Sequence, residues 1–393
     1  MVFPERFSNL PDYAFPRLRK LIGDLQPGGG EIRMTIGEPR HAFPDWVGDE
    51  LAKSLEGFGR YPPNDGAPEL QSAIALWIAR RYDVSVAADT QVLPLNGTRE
   101  GLFNACLALC PETKNGQKPA VLMPNPFYQV YSVAALAVGA EPIYVPATEA
   151  TGDLPDYASL PEHVLNRVTI AYICSPANPQ GAVADKAYWE RLIRLAEKHD
   201  FRIFADECYS EIYRDTPPPG ALQVAHEIGA DPERVLIFHS LSKRSNMPGL
   251  RCGFVAGGPA CIAEMKQLRS YAGAPIPMPL QAVAIRAWSD ETHVEENRAL
   301  YRAKYIAADD ILGDLPGYTA PEAGFFLWLR VANAEKATLK LWQETGVLVL
   351  PGHYLAREAD GQTPGSDRIR VAMVAEINEM REGLTRLKAC LYG

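Results

Sequence analysis

The 393-residue sequence contains no Cys-x-x-Cys, no His-Glu-x-x-His, no Gly-x-Gly-x-x-Gly after a strand-like run and no Gly-x-x-x-x-Gly-Lys. The first two absences leave no signature of a zinc site or redox dithiol, and the others none of a dinucleotide or nucleoside-triphosphate cradle. Seven cysteines is an odd number; no disulfide framework is indicated, and a reducing cytoplasm is the expected compartment. The greasiest stretch, near Ala134 to Ala140, is far short of the ~18 residues that a membrane helix requires. Met1-Val2-Phe3-Pro4-Glu5-Arg6 has no charged segment leading into an apolar one, so no secretory signal is expected. Basic residues are in deficit, 39 Lys and Arg against 48 Asp and Glu, for a net charge of -9. That surface repels phosphate backbones, which argues against nucleic acid as a partner but permits a local basic pocket for a small anion.

What is present is an ordinary globular composition, 47% hydrophobic and 22% charged, in a chain long enough for two or three units. Short apolar runs alternate with helix-length amphipathic segments. The runs are Ala120–Met123, Val168–Cys174, Arg202–Ala205, Val235–Phe238 and Gly253–Ala256; the helical stretches include Gly101–Cys110, Gln129–Val138 and Lys186–His199. The runs are too continuous for half-exposed strands and suit a sheet covered on both faces. The alternation predicts an α/β fold with a largely parallel central sheet. After about Ala284 the character changes. A charged helix near Ser289–Leu312 leads to strand-like runs at Gly324–Leu329, Val347–Leu350 and Arg368–Ala372. These predict a large domain over 46–285 and a smaller α+β domain from 1–45 and 286–393.

In an open α/β sheet, ligands gather beyond the carboxyl ends of the strands. Polar or aromatic residues succeed the apolar runs: Pro124-Asn125-Pro126-Phe127-Tyr128, Ser175-Pro176-Ala177-Asn178-Pro179, Asp206-Glu207-Cys208-Tyr209 and His239-Ser240-Leu241-Ser242-Lys243. Leu93-Pro94-Leu95 likewise gives way to Asn96-Gly97-Thr98-Arg99-Glu100, opening a helix. One sheet edge should therefore hold the chemistry.

Over nearly its whole length the sequence resembles the class I/II, fold-type I aminotransferases that use pyridoxal 5'-phosphate. Ser240-Leu241-Ser242-Lys243-Arg244-Ser245-Asn246-Met247-Pro248-Gly249-Leu250-Arg251-Cys252-Gly253 is similar to the family's Schiff-base segment. Asp206-Glu207-Cys208-Tyr209 and Gly37-Glu38-Pro39 match independently. Taken singly, each residue has a commonplace reading: a surface lysine, a helix cap, a packing tyrosine, a surface ion pair. Their joint occurrence in family order carries the resemblance.

The resemblance implies that Lys243 joins covalently to the cofactor aldehyde and later shuttles a proton, as a lysine amine can. It implies that Asp206 faces the pyridine nitrogen, that Tyr209 and Asn178 bond the phenolic oxygen, and that Tyr128 stacks on the ring. Thr98 and Arg99 at a helix start, with Ser240 and Arg251, match the phosphate ligands. Tyr61 matches a tyrosine reaching the neighbouring subunit's phosphate, so a homodimer with shared sites is expected. Arg370 and Gly37 match the contacts to the substrate α-carboxylate. The family often has Asn-Pro-x-Asn-Pro-Thr/Ser-Gly, whereas this chain has Ser175-Pro176-Ala177-Asn178-Pro179-Gln180-Gly181; Asn178 is retained, and Gln180 is expected to alter local packing.

Within the family, Tyr13-Ala14-Phe15-Pro16-Arg17-Leu18 with the preceding Leu10-Pro11-Asp12, Ile36 to His41, Pro124 to Tyr131, Asp206 to Tyr213 and Leu350 to Arg357 resemble proteobacterial succinyldiaminopimelate aminotransferases. That implies exchange of an amino group between glutamate and N-succinyl-2-amino-6-oxopimelate in lysine biosynthesis. Both carry a distal carboxylate that needs a cationic or N–H receptor; Arg17, Arg19, Arg33 and Arg244 are candidates. The rivals are a transaminase for aspartate, alanine, aromatic amino acids or acetylornithine, a C–S lyase on the same scaffold, and a non-catalytic regulator of this fold. No metal is expected.

Overall fold

Runs of β-branched and aromatic residues with no exposed face have to be covered from both sides, and the computed structural model shows them so. It describes residues 5–8, 10, 13–359, 361 and 363–393; Met1 to Pro4, Pro11 and Asp12 of the segments quoted above lie outside the described residues. The strands are β1 (Ile32–Arg33), β2 (Val92–Leu95), β3 (Ala120–Asn125), β4 (Glu141–Pro146), β5 (Val168–Cys174), β6 (Arg202–Asp206), β7 (Val235–Ser240), β8 (Gly253–Ala256), β9 (Phe326–Arg330), β10 (Val347–Leu348), β11 (Leu350–Pro351) and β12 (Arg368–Ala372). Seven form one sheet in the order β2-β8-β7-β6-β5-β3-β4. The pairs β4-β3-β5-β6-β7 are parallel, and β8 runs antiparallel between β7 and β2.

Strand alternation sends neighbouring residues to opposite faces. Ala171, Ile173, Ile203, Ala205 and Ile237 pack under helices Pro68–Tyr82, Lys186–His199 and Met278–Ser289. Tyr172, Phe204, Leu236 and Phe238 pack under Thr98–Leu109, Gln129–Ala137 and Pro259–Arg269. A separate core joins Ile32 and Met34 to Tyr301, Tyr305, Phe325 to Leu327, Val347, Ile369 and Leu384. Its sheets are the parallel pair β1-β10 and the antiparallel set β11-β12-β9.

Three details depart from the sequence reading. The sheet carries an unexpected edge strand, β4, whose Pro142 and Pro146 and half-open burial hide the strand pattern; prolines are tolerated at an edge. The run Val347–Leu350 divides into β10 and β11, which belong to different sheets. The charged helix starts at Thr292, after the separate helix Met278–Ser289. Asp290 makes the break: it accepts from Thr292 N at 3.0 Å and faces His293 Nδ1 at 3.0 Å. A further feature joins the two cores. Arg330 and Arg368 sit directly opposite each other on β9 and β12, and Glu149 contacts both, at 2.6 and 3.0 Å.

Candidate active site

Because β2, β3, β5, β6 and β7 all point the same way, their carboxyl ends meet at one edge, where a cavity of about 320 Å³ opens. Of the residues singled out from sequence, Gly37, Thr98, Arg99, Tyr128, Asn178, Asp206, Tyr209, Ser240, Lys243, Arg251 and Arg370 line it. Tyr61 is fully exposed and does not.

Asp206 ends β6 at 4% exposure. Its Oδ2 accepts from Tyr131 Oη at 2.8 Å, while Oδ1 is buried with no hydrogen-bond partner among the described residues. Burial raises the Asp206 pKa, and the Tyr131 hydroxyl opposes that rise. Tyr131 is held in turn by a parallel stack on Tyr172, centroids 4.4 Å apart. Its place three residues after Tyr128, on the same face of helix Gln129–Ala137, was readable from sequence. Its partner, 75 residues away, was not.

Lys243 sits in the four-residue helix Leu241–Arg244 after β7, and its Nζ donates to the Gly37 carbonyl. It lies 5.4 Å from the Phe325 centroid and 6.0 Å from that of Tyr209. Burial lowers its pKa below the usual lysine value. Gly37 admits no side chain: a Cβ would stand 2.4 Å from the Phe326 ring. Tyr209 is buried edge-on against Phe325 and Phe326, and burial drives its pKa well up.

Arg370 extends from β12 across the mouth. It donates to Asn178 Oδ1 at 2.9 Å and to the Thr35 carbonyl at 2.8 Å, with its guanidinium 4.3 Å over the Phe326 ring. No carboxylate touches it among the described residues, its Nε has no partner there, and burial lowers its pKa to about 10. Such a group is complementary to an incoming anion.

Opposite, Gly97 adopts φ 82°, which turns the chain into helix Thr98–Leu109, and a Cβ there would stand 2.5 Å from the Arg251 guanidinium. The first-turn amides of Thr98 and Arg99 thus open toward the cavity beside Ser240 and Arg251. Ser240 Oγ accepts from Ser242 N at 3.1 Å. Arg251 donates to the carbonyls of Pro248 and Asn96. The Arg99 side chain turns into the cavity, where Nε donates to Tyr128 Oη at 2.8 Å.

Of the four arginines weighed for a distal carboxylate, none lines the cavity. Arg244 is buried on the Ala287 carbonyl and Glu291, Arg33 pairs with Glu31, and Arg17 stacks on Tyr354. Gln180 reaches the Ala147 carbonyl at 3.3 Å, tying its loop to the segment after β4.

The chain matches the family model for aminotransferase class I and II over residues 30–387. An LL-diaminopimelate aminotransferase of Dehalococcoides mccartyi (strain ATCC BAA-2266 / KCTC 15142 / 195) is 32% identical over 399 residues, covering 98% of each chain. The solved structure of an aminotransferase from Neisseria meningitidis Z2491 superposes with a TM-score of 0.94 at 38% identity, covering 98% of this chain and 99% of that one. That of a probable N-succinyldiaminopimelate aminotransferase from Thermus thermophilus superposes with a TM-score of 0.83 at 26% identity, covering 96% and 99%. No helix among the described residues is long and apolar enough to cross a membrane.

Proposed function

The chain belongs to the class I and II aminotransferases, pyridoxal-phosphate enzymes of fold type I, and from that premise we propose that it exchanges an amino group between glutamate and N-succinyl-2-amino-6-oxopimelate. The supporting observation is one cavity holding a desolvated amine, a buried carboxylate oxygen without a donor and a buried guanidinium without an anion.

These residues fit the cofactor, since a protonated ring nitrogen is the donor that Asp206 Oδ1 lacks. When bound, the pyridoxal ring supplies an electron sink for the substrate α-carbon. In this reading Asp206 holds the proton on the ring nitrogen. Tyr128 faces the ring, Asn178 and Tyr209 bond its phenolic oxygen, and the Thr98 and Arg99 amides, Ser240 and Arg251 take the phosphate. Lys243 attaches the cofactor covalently and moves the substrate's α-proton. Its lowered pKa favours the neutral amine that a base requires. Gly37 and Arg370 receive the α-carboxylate. Tyr61, turned outward here, completes the phosphate site of a partner subunit in a homodimer. We assign the large domain to residues 46–285 and the small one to 1–45 and 286–393.

Ping-pong exchange requires both substrates to use the same pocket in turn. Each carries a carboxylate at both ends, so a second cationic or N–H receptor is needed. Arg99 supplies it: its side chain bonds the hydroxyls of Tyr128 and Tyr13, and no carboxylate contacts it among the described residues. A second reading, unacylated LL-diaminopimelate as substrate, is favoured by the name of the 32% identical relative. The test is a substrate panel on purified holoenzyme with 2-oxoglutarate as acceptor. The succinylated diamino acid should show the highest kcat/KM, and Lys243→Ala should abolish turnover. A higher value for LL-diaminopimelate selects the second reading, and one for aspartate or an aromatic amino acid sinks both.

A further inference from the structure

Asp206 and Ser240 line the cavity, and the residues beside them, Glu207 just past the end of β6 and His239 in β7, lie away from it. There they meet. His239 Nε2 lies 3.0 Å from Glu207 Oε2, in a place where the two residues are 2% and 1% exposed. Neither lines the cavity.

The surroundings are specific. Glu207 Oε1 accepts from Ala221 N at 2.7 Å, at the start of helix Ala221–Glu227. Its Oε2 also accepts from Tyr82 Oη at 3.1 Å, at the end of helix Pro68–Tyr82. His239 Nδ1 lies 3.4 Å from Ser210 Oγ. The imidazole stacks on Phe254 at 5.2 Å, meets Trp77 edge-on at 4.9 Å and lies tilted to Tyr82 at 5.8 Å. Two helices, β6, β7 and β8 thus converge on one ionisable pair. The Glu207 amide donates to the Phe238 carbonyl at 3.0 Å, closing the same link through the backbone.

A buried polar pair is a poor source of stability, because desolvation offsets most of the attraction, and apolar residues of like volume serve a core as well or better. What such a pair does supply is direction: it fixes two backbones in one register. We propose that Glu207 and His239 are positioning residues of the active site, locking the carboxyl ends of β6 and β7 so that Asp206 and Ser240 hold the pyridine nitrogen and the phosphate of one rigid cofactor at a fixed separation. This rests on the assignment of Asp206 and Ser240 to the cofactor made above.

The test separates fold from position. In holoenzyme, Glu207→Gln should lower the melting temperature. The double variant Glu207→Met with His239→Phe should recover it, since an apolar replacement removes both polar partners together. Both variants should nonetheless bind pyridoxal phosphate about 10- to 100-fold more weakly, as when outer partners that orient ligands are lost. In both, the pH midpoint of the cofactor's visible absorbance should move, and kcat should fall with KM within about twofold. A double variant that melts, binds cofactor and titrates like the parent overturns the proposal. Should the double variant not fold, parental cofactor affinity and parental midpoint in Glu207→Gln overturn it equally. A parent protein that shows no visible cofactor band at all would instead refute the assignment of the site itself.

Discussion

Removing one hydroxyl, Tyr131→Phe, isolates the part of the site that controls the proton on Asp206. The ring is fully buried and stacked on Tyr172 at 4.4 Å, and phenylalanine keeps that stack, so the fold should lose little. What is lost is the 2.8 Å donor to Asp206 Oδ2. Hydrogen bonds to a charged group contribute about 1.5–3 kcal/mol. At 1.36 kcal/mol per unit this is about one to two pKa units of added proton affinity at a carboxyl that burial has already raised. A carboxyl that takes the proton for itself leaves less on the ring nitrogen. The half-reaction with glutamate, followed by stopped-flow loss of the visible absorbance, should slow about 10- to 100-fold, in proportion to that shift. Cofactor affinity should fall with it, while the melting temperature barely changes. If the rate, the absorbance midpoint and the cofactor affinity all equal those of the parent, Asp206 does not depend on Tyr131 and the account of its ionisation is wrong.

Three other substitutions probe separate claims. Arg99→Ala should raise KM for glutamate about tenfold or more while leaving that for alanine nearly unchanged, since only glutamate presents a distal carboxylate; equal effects on both would refute a distal role. Glu211 is more deeply committed. Burial alone would raise its pKa, but Arg81, Arg244 and Arg298 hold it below the ordinary glutamate value. Glu211→Gln removes the buried carboxylate that bonds the Arg81 and Arg298 guanidiniums at 2.7 and 2.9 Å, leaving Glu295 as the one carboxylate on Arg298 among the described residues, and should cost about 3 kcal/mol by urea unfolding. Because the folded pKa is depressed, that difference should be complete above pH 4.5 and shrink as pH falls through the lowered value. Lys304 has the opposite sign. It is 1% exposed, its Nζ has no hydrogen-bond partner among the described residues, and burial lowers its pKa from 10.5 to about 8. At 1.36 kcal/mol per unit, burying its charge costs up to about 3 kcal/mol at neutral pH. Lys304→Met should therefore stabilise at pH 7, with the advantage fading between pH 8 and 10.5; no gain at pH 7 would contradict it.

The central sheet was legible because its strands are apolar on both faces, a pattern that survives without knowledge of neighbours. Val168–Cys174, Gly253–Ala256 and Lys186–His199 agree with the structure residue for residue, the last because the Asp185 carboxylate accepts from Tyr188 N and marks the helix start. Edge strand β4 was hidden because half of it meets solvent and two prolines interrupt it. Site residues that come after strand ends were readable, since chain direction alone delivers them to one edge. Those whose role depends on a distant partner were not. Arg244 stands next to Lys243 in sequence, yet its side chain points into the core toward Ala287 and Glu291. Arg99 was picked for its backbone amide, and only the folded chain reveals where its guanidinium goes.

The reversal of β8 has a geometric corollary. The parallel strands that feed the pocket do so as the chain leaves them, but an antiparallel strand has its beginning at that rim. Arg251 therefore reaches the cavity just before Gly253, which lies between Leu95 of β2 and Ser240 of β7. Lys243 and this arginine flank one short hairpin-like span, so its length acts as a gauge block for the distance between them. Lengthening residues 244–250 by a single position would either buckle that span or slide β8 by one step. Sliding would turn Phe254 and Val255 to the wrong faces, and a Cβ in place of Gly253 would meet the His239 carbonyl at 2.5 Å. This loop is calibrated at both ends.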